Sequence, residues 1–82
     1  MYILKLETKW CTPCRHMSKI LNSIQEVTGV EVVIVDVEEH PEIAEEHGVM
    51  SVPTLILMDG DEEVKRFVGL TPEHKIIDAL MR

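Results

Sequence analysis

The chain has 82 residues, 45% of them hydrophobic, and carries 15 acidic against 8 basic residues, for a formal net charge of −7 at pH 7. Its length predicts one domain over residues 1–82, and its acidity argues against nucleic-acid binding, which needs clustered lysine and arginine. The longest apolar runs, around residues 32–35 and 52–58, are too short to span a membrane, and the N-terminus lacks a secretory signal pattern. We therefore expect a cytoplasmic protein with neither nucleic-acid nor membrane partners.

The first half of the chain predicts a strand, a helix and a second strand. Residues 2–7 alternate as in a strand. Residues 30–37 are almost all β-branched and apolar, so we expect a strand covered on both faces and parallel to the first. Between them, residues 13–27 have apolar side chains three and four positions apart, which predicts a helix that Gly29 ends. Its expected buried face consists of Met17, Ile20, Leu21, Ile24 and Val27.

The middle of the second half predicts a short helix followed by a hairpin. Pro41 begins the short helix and Gly48 ends it. Residues 54–58 and 62–68 are predicted to be antiparallel strands, because the Asp-Gly pair between them is a hairpin signal.

A last helix is predicted after Gly69 breaks the hairpin. Thr71 is expected to cap this helix, with Pro72 at its first position. The order of elements is then βαβαββα. The expected buried face of the last helix consists of Ile76, Ile77, Leu80 and Met81.

Both cysteines lie where the first strand gives way to the first helix. Pro13 suits the first helical position, so Cys11 lies at or just before the helix start, near unpaired N–H groups and the positive end of the helix dipole. This setting favours thiolate over thiol. We therefore assign Cys11 as a nucleophile and Cys14, one turn into the helix, as the more buried resolving thiol.

Three other functions of the cysteine pair have less support in the sequence. A permanent disulfide closing so short a loop would stabilise the fold by only about 2 kcal/mol. A structural zinc site wants four ligands, usually two close pairs, whereas the chain has one cysteine pair and scattered histidines. The cysteines can also pack simply as small hydrophobic residues. We prefer a reversible dithiol that requires no metal and no organic cofactor.

The chain resembles the thioredoxin family over nearly its whole length. Trp10-Cys11-Thr12-Pro13-Cys14 resembles the family's WCGPC active site, Val52-Pro53-Thr54 resembles the loop with a cis-proline, and Val68-Gly69 resembles the glycine that closes the substrate groove. The resemblance implies an α/β protein with a minimal thioredoxin fold of glutaredoxin size. In that fold a four-stranded mixed sheet of order 2-1-3-4 is flanked by three helices.

The resemblance also implies a substrate site. The two cysteines keep the roles given above, and a cis Val52–Pro53 bond would lie beside them and let the backbone of Val52 pair with a substrate peptide. The residues alone leave two simpler interpretations open. Trp10 and Leu70 can be core side chains, and Pro53 can be an ordinary trans proline. The implied substrate-binding residues are Trp10, Thr12, Pro13, Val52, Pro53, Gly69 and Leu70.

Three positions depart from the family pattern. Thr12 replaces a glycine between the cysteines, Lys5 falls where thioredoxins carry a buried acid, and Ile34 falls where the lysine partner of that acid usually lies. We hypothesise that Lys5 favours the thiolate by its charge, against the alternative that it reaches water or pairs with an acid such as Glu7. His16 is a second candidate for tuning the thiolate, against the alternative of a solvated surface histidine.

The function implied is that of a thiol-disulfide oxidoreductase. It would reduce disulfide-containing protein substrates and be recharged by a flavoenzyme of the thioredoxin-reductase type, acting as a monomer. A glutaredoxin-like enzyme recharged by glutathione is an alternative, although Gly69-Leu70-Thr71 lacks the paired glycines that glutaredoxins use. A non-catalytic or metal-binding adaptor with the same fold is an alternative of another class.

Overall fold

The helices and strands follow the expected order βαβαββα in the part of the chain that the structure describes, residues 1–81 of a computed structural model. The strands are β1 (Tyr2–Glu7), β2 (Glu31–Asp36), β3 (Thr54–Asp59) and β4 (Glu62–Val68). The helices are α1 (Thr12–Thr28), α2 (Pro41–Glu46) and α3 (Glu73–Leu80). Within residues 1–81 we find no helix with both the length and the apolar character needed to cross a membrane.

All four strands belong to one mixed sheet in the order β2-β1-β3-β4. β2 is parallel to β1, which α1 makes possible as a crossover, while β3 is antiparallel to β1 and β4 is antiparallel to β3. Gly60 and Asp61 join β3 to β4, and Gly60 has the positive φ, 61°, that a two-residue hairpin turn needs at its first central position. The predicted fold class is confirmed.

Each face of the sheet carries its own apolar cluster, because successive side chains of a strand point to opposite faces. One face is covered by α1 and α3, and the other by α2. The buried residues of the first cluster are Ile3, Met17, Leu21, Ile24, Leu55, Leu57 and Ile76. Those of the second cluster are Leu4, Leu6, Val35, Ile56 and Met58.

Helix α1 extends one residue beyond the predicted range at each end. It begins at Thr12, so Pro13 occupies its second rather than its first position, and Cys11 is the N-cap. Gly29 ends it as predicted, with a φ of 72° and its N–H donated to Gln25 O at 2.8 Å. Val27 was expected in the core but is 71% exposed. A helix of 17 residues is about 25 Å long, whereas strands of six residues span about 20 Å, so the last turn extends past the sheet.

The expectation that both faces of β2 are covered is wrong. Val35 is its one buried residue, while Val33 and Ile34 are exposed, Ile34 by 59%. β2 lies at the edge of the sheet and pairs only with β1. The β-branched residues of β2 indicate only that the segment forms a strand, and such a strand can lie at the edge of a sheet as well as at its centre.

Helix α3 begins one residue later than predicted, and Thr71 does not cap it. Pro72 takes the N-cap position in an extended conformation, with φ −63° and ψ 145°, and no side-chain capping bond is present there. The Thr71 hydroxyl instead donates to the Gly69 carbonyl at 3.1 Å. Met81, predicted to be buried, is exposed. The other predicted residues are buried or half-buried: Ile76, Ile77 and Leu80.

Candidate active site

Three chain segments meet at one end of the sheet. Leu6 near the end of β1 pairs with Thr54 at the start of β3, and Thr54 also pairs with Val68 at the end of β4. The segment that leaves β1 toward the cysteines therefore starts beside the loop that enters β3. Gly69 joins the third segment to this loop, because its N–H donates to the Pro53 carbonyl at 2.8 Å.

The first segment carries a disulfide between Cys11 and Cys14, whose Cα atoms are 5.2 Å apart. Cys11 is partly exposed, whereas Cys14 is buried. As the N-cap of α1, Cys11 accepts the Cys14 backbone N–H on its sulfur at 3.1 Å. The same N–H would stabilise a thiolate on Cys11 when the disulfide is open, because a helix N-terminus favours negative charge.

Apolar side chains around the disulfide are exposed to solvent. Trp10 is 82% exposed and Leu70 is 60% exposed, so the alternative that they are core residues is wrong. Met50, which the sequence analysis did not select, is 99% exposed in the loop before Val52. A group of exposed apolar side chains on a small acidic protein indicates a contact surface.

The remaining predicted site residues lie in the same region. Thr12 and Pro13 are exposed in the first turn of α1, and Val52 is half-buried. Pro53 is buried, and the Val52–Pro53 peptide bond is cis, as the resemblance implied. Gly69 has a φ of 81°, a left-handed conformation that favours glycine.

Lys5 is buried beneath the first turns of α1, with a relative exposure of 0%. Its ammonium group donates to the Cys14 carbonyl at 2.9 Å and to Ser18 Oγ at 2.6 Å, and it pairs with the Glu7 carboxylate at 2.5 Å. The alternative that Lys5 reaches water is therefore wrong, while the alternative that it pairs with Glu7 is correct. Ile34, its register partner on β2, is exposed and supplies no second charge.

The sequence analysis missed Ser18 as a partner of this buried lysine. Ser18 Oγ also donates to the Cys14 carbonyl, at 3.2 Å, so two side chains bond the same carbonyl oxygen. The signal was present in the sequence, because Ser18 follows Cys14 by four residues and lies one turn further along the same helix face. His16, by contrast, is exposed and has no hydrogen bond to either cysteine in residues 1–81.

Nothing in residues 1–81 groups three or more histidine, cysteine, aspartate or glutamate side chains in a way that could hold a metal ion. The chemistry of the site is that of its sulfur atoms. A solvent-accessible sulfur at a helix N-terminus, paired with a buried sulfur one turn away, can exchange with other disulfides. Fold and site together define the class of thiol-disulfide oxidoreductases.

Comparison with known proteins agrees with this class. The family model described as Thioredoxin matches residues 1–82. The thioredoxin of Chlamydia caviae is 37% identical over 78 residues, which cover 94% of this chain and 76% of that protein. The thioredoxin of Streptomyces clavuligerus is 39% identical over 70 residues, which cover 84% of this chain and 65% of that protein.

Solved structures show the same similarity. A mutant thioredoxin from Halobacterium salinarum NRC-1 superposes with a TM-score of 0.88 at 32% identity, covering 94% of this chain and 68% of that one. Thioredoxin 1 from Thermosipho africanus TCF52B superposes with a TM-score of 0.89 at 27% identity, covering 100% of this chain and 92% of that one. The chain belongs to the thioredoxin family and is a protein-disulfide oxidoreductase with a redox-active cysteine pair.

Proposed function

We propose that residues 1–82 form a single-domain, monomeric, cytoplasmic thioredoxin in which Cys11 attacks and Cys14 resolves. The observation that carries this assignment is the difference between the two sulfurs. Cys11 is partly exposed and its sulfur accepts a helix N-terminal N–H, whereas Cys14 is buried. An incoming disulfide therefore meets Cys11 first.

The proposed reaction transfers two electrons to the target. The Cys11 thiolate attacks one sulfur of the target disulfide, forms a mixed disulfide and releases the other target sulfur as a thiolate, which takes up a proton. Cys14, on losing its proton, then attacks the Cys11 sulfur, releases the second target thiol and closes the Cys11–Cys14 disulfide. A flavoenzyme of the thioredoxin-reductase type returns two electrons and two protons to the cysteines.

The exposed apolar group is the proposed docking surface for disulfide-bearing proteins. An extended target segment would pair with the backbone of Val52 as an added strand. Aromatic and methionine side chains are enriched in protein interfaces, and Met50 adds such a side chain beside this loop. The docking surface comprises Trp10, Thr12, Pro13, Met50, Val52, Pro53, Gly69 and Leu70.

Lys5 is proposed to be a positioning residue that favours thiolate at the helix start. Its bond to the Cys14 carbonyl fixes a cation beneath the first turn of α1, and a nearby positive charge favours an anionic sulfur. The Glu7 carboxylate at 2.5 Å offsets part of this effect. His16 is the second candidate, and Thr12 between the cysteines is proposed to tune the redox potential.

Thiolate absorbance in the ultraviolet, followed against pH, tests the role of Lys5. We expect Lys5→Met to shift the Cys11 titration to higher pH, because the thiolate loses a stabilising charge. Lys75→Met is the matched control, since Lys75 is an exposed lysine on α3, away from the cysteines. An unchanged titration in Lys5→Met would show that the lysine is structural only. His16→Gln in the same assay tests the histidine.

Insulin disulfide reduction tests the proposed function. The purified protein is recharged in parallel by NADPH with a thioredoxin reductase, or by NADPH, glutathione and glutathione reductase. We expect turnover with the first system, whereas turnover with the second system alone would assign a glutaredoxin-like enzyme. Cys14→Ser should stall as a mixed disulfide with insulin, and Cys11→Ser should be inactive. If dithiothreitol too fails to drive reduction, the proposed function is wrong.

A further inference from the structure

A groove of about 510 Å³ lies between α1 and the segment that leads into α3. Its lining surface is almost entirely apolar, and Leu70, one of the lining residues, is 60% exposed to solvent. Among the lining residues the cationic side chain is that of Lys19, and the lining includes no carboxylate. The residues that line it are His16, Lys19, Ile20, Leu70, Thr71 and Pro72.

The groove is continuous with the proposed docking surface. His16 and Ile20 follow the attacking residue Cys11 by five and nine residues, which places them about 7.5 and 13.5 Å further along the helix axis. Leu70 follows Gly69, whose N–H is bonded to the Pro53 carbonyl. An extended peptide advances about 3.3 Å per residue. A side chain about two to four positions from the cysteine that is bonded to Cys11 therefore spans the distance to this groove.

Charge at the groove differs from that of the chain as a whole. Residues 1–19 contain four lysines and arginines against one glutamate, so a net charge of −10 falls on the remainder of a chain whose total is −7. Lys5 and Lys9 are paired with Glu7 and Glu39. Lys19 is exposed and has no ion pair within residues 1–81. It is therefore available to an anionic group on a partner.

We propose that this groove recognises an apolar side chain next to a carboxylate in the protein substrate, two to four residues from the cysteine that Cys11 attacks. The apolar side chain fills the space beside Ile20 and Leu70, and the carboxylate pairs with Lys19. This proposal rests on the proposed function and adds a substrate class to it, namely disulfide proteins with an acidic-apolar segment beside the reactive cysteine.

Synthetic peptides test the proposal with the whole chain in its reduced form. Each peptide carries one cysteine in a disulfide with thionitrobenzoate, and a Leu-Glu pair three and four positions away, on the N-terminal side in one series and on the C-terminal side in the other. The released thionitrobenzoate absorbs light, so the second-order rate constant of attack is measured directly. Companion peptides replace the pair with Leu-Gln or Ser-Glu.

In one series we expect Leu-Glu to react about two- to fivefold faster than Leu-Gln, the range of an exposed ion pair, with the ratio falling as salt is added. Ser-Glu should also react more slowly than Leu-Glu, because it leaves the groove unfilled. Lys19→Gln should abolish the preference for glutamate. Lys75→Gln is the matched control, because Lys75 is an exposed lysine on α3 outside this groove.

Equal rates for Leu-Glu and Leu-Gln in both series at low salt would overturn the proposal. So would a Lys19→Gln variant that slows both peptides equally. These outcomes differ from failure of the proposed function, which would appear as a reduced protein that does not attack the symmetric disulfide of thionitrobenzoate. That small disulfide has no peptide to place in the groove.

Discussion

Replacing Lys5 with methionine is expected to destabilise the fold through the charge that it leaves behind. The ammonium group is 0% exposed and bonds to the Cys14 carbonyl, Ser18 Oγ and the Glu7 carboxylate. Methionine keeps an unbranched apolar side chain of similar length but removes the charge and its hydrogen bonds. Glu7, whose side chain is 26% exposed, then loses its cation while most of it remains shielded from water.

The magnitude follows from how far each remaining group reaches solvent. Removing one partner of a fully buried ion pair costs about 3–5 kcal/mol. Because Glu7 is partly hydrated, we expect Lys5→Met to lower the free energy of unfolding by about 1–3 kcal/mol. The Cys14 carbonyl keeps its hydrogen bond from Ser18 Oγ at 3.2 Å, so loss of the Lys5 bond to this carbonyl adds little to the destabilisation. A domain stable by about 5–15 kcal/mol remains folded after this loss.

Urea unfolding of the oxidised protein measures this loss, because the closed disulfide removes thiol ionisation from the comparison. Adding Glu7→Gln to Lys5→Met removes the unpaired carboxylate, so the double variant should recover at least half of the lost stability. With Glu7→Gln alone, the four proteins complete a double-mutant cycle. A loss below about 0.5 kcal/mol in Lys5→Met, or a double variant less stable than Lys5→Met, would falsify the argument.

Three further predictions concern positions away from Lys5. Ile24→Ala should lower the free energy of unfolding in urea by about 2–5 kcal/mol, because Ile24 is fully buried. Val27→Ala on the exposed last turn should change it by less than about 0.5 kcal/mol. Equal losses would contradict the assignment of Val27 to the surface. Gly69→Ala should cost about 1–2 kcal/mol through its φ of 81°, since within residues 1–81 no atom outside the adjacent residues lies within 4 Å of the added Cβ. Unchanged stability would show that the loop relaxes. Hydrogen bonds from Arg66 lower the pKa of the Glu63 carboxyl, so the pair stabilises the fold at neutral pH and loses this effect as the pH falls through that lowered pKa. The free energies of unfolding of the protein and of Glu63→Gln should therefore differ by less than about 1 kcal/mol at neutral pH, because the site is exposed, and should become equal in acid. A difference that persists in acid would refute the pairing.

Local signals predicted both ends of α1 to within one residue. A proline after Cys11 and a glycine at position 29 mark the two ends of a helix through their own backbone preferences, which need no knowledge of the rest of the fold. For this reason Cys11 is found at the helix N-terminus and Gly29 at its end, as the sequence indicates. The roles of the surrounding residues required the family resemblance as well.

Exposure could not be predicted in the same way. Val27 continues the apolar spacing of α1, and Ile34 belongs to an apolar strand, yet both are exposed. Periodicity identifies the apolar side of an element but contains no information on where the neighbouring elements end. The extent of α1 past the sheet and the edge position of β2 are properties of the assembled fold.

The polar contacts of Lys5 illustrate a different limit. The alternation of β1 placed Lys5 on the same face as Ile3, but a lysine on an apolar face has several possible outcomes, from reaching water to pairing inside. What decides between them is the combination of Glu7 two residues away on the same face and Ser18 on the helix above. Partners on a separate element are visible only after packing.

The position of the disulfide relative to the two apolar clusters has a consequence for how the family can diversify. Neither cluster includes Cys11 or Cys14, and Thr12 and Pro13 between them are exposed. Because their side chains lie outside both clusters, substitutions at Thr12 and Pro13 should test the proposed effect of this turn on the reduction potential without repacking the interior. If Thr12 has the role proposed above, single substitutions at these two exposed positions would give proteins of different reduction potential that share one folded interior.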